Sequence, residues 1–134
     1  MKQPAFAPGF RLSVADGFVL LGGVAGIIIL SMIVWWWGFV LGFVLGHFFL
    51  FCNVVRMARP LELLWSGVFV VLAGATIVLE MPGWLVTTLL SLVVTGIVVV
   101  VEIRKPSYHG VGWKWMNPGL PAWWESRMVE RADG

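Results

Sequence analysis

His47 stands as a lone imidazole in an apolar run from Gly17 to Val55, 39 residues without Asp, Glu, Lys or Arg. A polar side chain at membrane depth is expensive and points to a function by default. Three chemistries compete for it. Ranked first, the ring donates a hydrogen bond to a neighbouring helix, with Thr87, Ser91 and Thr95 as acceptors. Second, neutral imidazole is a good axial ligand, so His47 could hold a tetrapyrrole, a haem or a bacteriochlorophyll-type pigment. Gly46 beside it would admit a flat ring, but Phe43 and Phe51, four residues to either side, crowd that space. The apolar runs hold no second histidine, so a bis-histidine haem would need a ligand from another chain. Third comes a proton relay, which lacks the chain of Asp, Glu or His partners that relays use.

Other residue types carry packing and docking chemistry. Between membrane helices, small residues let backbones approach closely. Gly38, Gly42 and Gly46 recur every fourth residue; Gly22 and Gly26 repeat the spacing upstream, and Thr87, Ser91 and Thr95 repeat it downstream. These stripes read as helix-packing seams, within the chain first and against a partner subunit second. Tyr108, Trp113, Trp115, Trp123 and Trp124 lie among Gly110, Gly112, Pro118, Gly119 and Pro121. That segment is too broken for one long helix and too aromatic for a disordered linker. It predicts interface anchors, for a partner or for the membrane surface, with a short helix from Pro121 to about Arg131. Glu62 and Glu80 read as interfacial caps, Glu62 pairing with Arg56 or Arg59. Cys52 reads as a small buried apolar side chain. No phosphate loop, nucleophile elbow or metal-ligand spacing is present, and His109 has no ligand set near it. The chain is therefore expected not to be an enzyme.

The elements that must position these residues follow from composition. The 134 residues are 60% hydrophobic and 12% charged, with mean hydropathy +0.93. Soluble domains carry about 25% charged residues, and a fold this small has too little interior to hide so much apolar surface. A soluble enzyme, a disordered tail and a nucleic-acid module are excluded on that ground. The net charge of +2 describes few charges rather than a basic patch, and one cysteine rules out an internal disulfide.

The run from Gly17 to Val55 would extend roughly 58 Å as one helix, and the hydrocarbon core is about 30 Å thick. It must fold back, and Trp35-Trp36-Trp37-Gly38 marks the turn, because indoles favour the interface and glycine relaxes the backbone. The expected fold is all-α and membrane-integral, with four spans arranged as two hairpins: residues 17–36, 38–55, 63–79 and 82–101. Residues 1–16 form a preceding segment, 17–105 the transmembrane region, and 106–134 an interfacial tail. Glu80-Met81-Pro82-Gly83 makes the second outer turn. Pro4, Pro8, Arg11 and Asp16 delay the first run, which is too long for a signal-peptide core and reads as an uncleaved anchor.

All nine Lys and Arg residues fall before span one, between spans two and three, or after span four. The positive-inside rule then puts both termini in the cytoplasm, across a bacterial inner membrane by expectation. The leading functional reading is a non-catalytic accessory subunit of a larger energy-transducing complex, respiratory or photosynthetic, with other integral membrane subunits, the lipid bilayer and bound lipids as partners and no nucleic acid. A cofactor-binding subunit using His47 comes next, and a small oligomeric transporter or channel third.

Overall fold

The computed structural model describes residues 5–134; Lys2 and Pro4, read above as preceding the first span, lie outside them. The described residues are all-helical with no strand. Four helices are long and apolar enough to cross a membrane: α1 (Val14–Ile33), α2 (Trp35–Phe49, continued by a π-helical turn at Leu50–Val54), α3 (Arg59–Leu79) and α4 (Trp84–Ile103). Two shorter helices follow, α5 (Trp113–Met116) and α6 (Leu120–Asp133).

Local chemistry sets each boundary. Ser13 caps α1: its Oγ accepts from Asp16 N at 3.2 Å, while Asp16 Oδ2 accepts from Ser13 N at 2.7 Å. This reciprocal pairing satisfies two amides at a helix start and begins the helix ahead of Gly17. The break between α1 and α2 falls at Val34, an extended residue with φ −144° and ψ 119°. That lies ahead of the turn expected between Trp36 and Gly38. The three tryptophans instead open α2, and Gly38 is buried inside it. A Cβ at Gly38 would overlap Ser31 Oγ and lie 2.8 Å from the Ile27 carbonyl. The glycine serves helix contact, and the turn does without it.

Proline stands in the first turn of α3, where its missing N–H costs nothing. Glu80 ends α3 in the left-handed region, and Gly83 at φ 93° opens α4. Helix α1 packs along α2, and α3 along α4. The core is shared by α2, α3 and α4, where Phe51, Trp65, Phe69, Ala73 and Val98 are buried together. Helix α1 contributes no buried residue. It lies along the outer side of α2.

The two ends of the bundle differ. At one, Trp36 stacks on Trp84 at 5.5 Å, joining the break at Val34 to the turn before α4. At the other, three chain segments are knotted by backbone bonds. Gly9 N donates to His109 O (2.7 Å), Arg11 N to Asn53 O (3.1 Å) and Val111 N to Val54 O (2.8 Å). The π-helical turn permits this. Its wider winding, Val55 N donating to Leu50 O at 2.9 Å, ends α2 with outward carbonyls that the loop after α4 can reach. Gly110 fits there because a Cβ would fall 2.7 Å from Val54 O.

Candidate functional site

One threonine hydroxyl joins three helices at the centre of the bundle. His47, on α2, is 8% exposed, and its Nε2 lies 2.9 Å from Thr95 Oγ1 on α4. Trp65 Nε1, on α3, donates to the same oxygen at 2.8 Å and lies 3.2 Å from Ser91 O. His47 Nδ1 is 2.8 Å from Phe43 O, one turn back on its own helix. Three aromatic rings enclose the imidazole, and a fourth backs one of them. It stacks on Trp65 (4.3 Å, 17° between planes), Trp65 stacks on Phe69 (5.3 Å, 4°), and Phe43 and Phe51 close the sides at 4.3 and 5.7 Å.

Both ring nitrogens are thereby engaged. An axial bond to a tetrapyrrole needs the in-plane lone pair of one of them free. Here Nε2 faces Thr95 Oγ1 and Nδ1 faces Phe43 O, so in this arrangement neither nitrogen is free for that bond. Of the three acceptors read from the sequence, the bundle brings Thr95 to His47. Thr87 bonds instead to Thr76 at 2.8 Å, both buried between α3 and α4. Ser91 is fully buried, its carbonyl accepting from Thr95 at 2.8 Å while its own Oγ has no partner among the described residues.

The glycines divide likewise. Added Cβ atoms at Gly26 and Gly42 would meet Leu41 Cδ2 at 3.0 Å and Ile27 Cδ1 at 3.4 Å, across the α1–α2 contact. Gly22 and Gly46 have nothing within 4 Å. Gly23 was not singled out in the sequence, yet its Cβ would overlap Leu45.

Trp65 is the main residue that sequence reasoning missed. Near the start of an apolar run it reads as an interfacial ring, but α3 begins at Arg59, which places Trp65 inside the bundle at 3% exposure. Asn53 was also missed, though an amide in an uncharged run was a visible signal. Its Nδ2 donates to Arg11 O (2.6 Å) and Asp16 Oδ2 (3.1 Å), fastening the start of α1 to the end of α2. Glu62 does not take the arginine pairing expected for it. The ion pairs among the described residues are Lys105–Glu102 at 2.7 Å and Arg127–Glu130 at 2.9 Å.

The tail anchors are largely used within the chain. Tyr108 is 2% exposed and donates to Val111 O at 2.7 Å. Burial, then the nearby Glu102 carboxylate, push its pKa above the ordinary phenol value. Phe6 packs between Trp113 (6.0 Å) and Trp124 (5.5 Å), and the Arg127 guanidinium lies 5.5 Å over the Trp123 ring. Trp115 alone of the five points away, at 91% exposure. The chain matches no protein-family model, no curated protein and no solved structure.

Proposed function

We propose that this chain is a non-catalytic accessory subunit of a larger membrane complex, spanning the membrane four times with both termini on the cytoplasmic side of a bacterial inner membrane. The observation that carries the reading is Trp115. A large indole stands almost fully exposed on a short helix whose flanking loop is bonded to the end of α2 through Val111 and tied to Pro106 and Tyr108 through Asn117. A rigidly presented, unpartnered tryptophan is the form that interface anchors take. The bundle interior supports the same role, because His47, Trp65, Thr95, Thr76 and Thr87 spend their polar atoms on one another. Respiratory or photosynthetic assembly is the class favoured by minimal loops, small-residue seams and an aromatic tail.

Co-purification from native membranes in mild detergent tests the reading. Trp115→Ala should release the subunit from its complex while the purified chain keeps its helix content and melting behaviour. A buried hot-spot anchor costs about 2 kcal/mol or more on truncation, roughly 30-fold in affinity. Full retention of the variant would assign Trp115 to the lipid surface. Changing Trp123 and Trp124 together is a poorer probe, because Trp124 also holds Phe6.

A further inference from the structure

Beside the start of α1 lies a shallow concavity walled by Pro8, Phe10 and Leu12 and floored by two arginines, Arg11 and Arg56. Neither arginine is in an ion pair among the described residues. The nearby Asp16 carboxylate is already occupied, accepting from Ser13 N, Ser13 Oγ and Asn53 Nδ2.

The fold fixes the Arg11 backbone and the Arg56 side chain there. Asn53 clamps the Arg11 backbone from two sides, its carbonyl accepting from Arg11 N and its amide donating to Arg11 O. Arg56 sits in the left-handed region at φ 54°, a conformation non-glycine residues seldom hold without tertiary cause. One of its N–H groups donates to Ala7 O; a guanidinium has five, so most of the fork is left over. Burial, then the positive charge of Arg11, hold Arg56 below the ordinary arginine pKa. Two like charges thus share one hollow, and the nearest carboxylate, Asp16, is already engaged by Ser13 and Asn53.

We propose that Arg11 and Arg56 bind the phosphate of an anionic phospholipid headgroup. The guanidinium fork matches phosphate oxygens in two-point geometry. The surroundings select lipid over a free ion. Phe10, Leu12 and Val14 are all exposed and apolar, leading from the hollow onto the first membrane-length helix. A headgroup in the hollow would lay its acyl chains along that edge. The site requires the chain to be embedded and needs no partner subunit.

The test uses the full chain in nanodiscs of phosphatidylcholine with or without phosphatidylglycerol, with native mass spectrometry reading lipid retained after detergent extraction. Wild type should retain phosphatidylglycerol over phosphatidylcholine and melt higher when it is present. Arg11→Gln with Arg56→Gln should lower retention about tenfold or more, the scale of losing hydrogen bonds to a charged group. Lys114→Gln with Arg131→Gln removes the same charge elsewhere and should leave retention unchanged. Equal loss in both pairs would overturn the site in favour of general surface attraction. Displacement of the lipid by millimolar inorganic phosphate would overturn the lipid assignment in favour of a soluble anion. Arg11→Gln alone leaves the Arg56–Ala7 bond intact, so its retention decides the matter if the double variant misfolds. Because no complex is involved, a negative result here is separate from a failed co-purification.

Discussion

Thr95 has one proton and three claims on its oxygen, and counting protons shows how the site works. Trp65 Nε1 is a donor only, so Thr95 Oγ1 accepts from it in every state. With the imidazole proton on Nδ1, facing Phe43 O, the single Thr95 proton serves either Nε2 at 2.9 Å or Ser91 O at 2.8 Å. Thr95→Val then leaves Nε2 without a partner and Trp65 with only the longer approach to Ser91 O. Such a loss costs about 1–3 kcal/mol in a buried site, though interhelical bonds in membranes average nearer 0.6 kcal/mol. Because this hydroxyl serves two helices, a loss of about 1–2 kcal/mol is expected in detergent unfolding. Adding His47→Phe should cost less than the two single changes summed, since the orphaned nitrogen goes too. Strict additivity would show that the bond contributes nothing. Tyr108 gives a second test, being the only tyrosine in the chain. Its pKa is raised on folding, so its stability contribution is present below the ordinary phenol value of 10.0 and is lost as pH rises through the folded value. Phenolate absorbance should therefore appear at higher pH in the folded chain than in the denatured one, and Tyr108→Phe should abolish the signal.

Along α2 the glycine stripe separates into working and idle positions. A helix turns about 100° per residue, so each four-residue step carries the stripe about 40° round the axis. By Gly46 it has rotated off the α1 contact that Gly38 occupies, and the Cβ environments differ accordingly. Gly38→Ala should push α1 from α2, at a cost of about 1–3 kcal/mol for overpacking against backbone. Gly46→Ala should be neutral or stabilising by up to about 1 kcal/mol, through helix propensity alone. Thermal unfolding of the two variants in one detergent checks both, and equal destabilisation would show that the stripe acts as a single seam. The α4 stripe of Thr87, Ser91 and Thr95 works differently: it closes on α3 through hydroxyls as well as through small size.

For the whole molecule, the knot of Gly9, Arg11, Asn53, Val54, His109 and Val111 gathers the first segment, the α2–α3 link and the tail at one end. The Trp36–Trp84 stack gathers the two remaining turns at the other. Reporter fusions at Ala58 and Gly134 should both read cytoplasmic, with a fusion at Pro82 reading external. An external signal at Gly134 would overturn the four-span topology.

Bilayer physics makes some of this legible from residues alone. The absence of charge from Gly17 to Val55, and the turn at Glu80–Gly83, determined four long apolar helices, because spanning length and desolvation depend on local composition. The Ser13–Asp16 cap, an interaction between near neighbours, went unread, and the span expected from sequence begins at Gly17 instead of Val14. Which threonine meets His47 was not legible. Thr87, Ser91 and Thr95 are equivalent by spacing, and only the depth at which α2 crosses α4 selects Thr95. The position of Trp65, the π-helical turn that receives the loop after α4, and the placing of Arg11 beside Arg56 depend likewise on contacts between residues distant in the chain. Periodicity within one helix specifies which residues share a face, but helix crossing and register choose which of them touch.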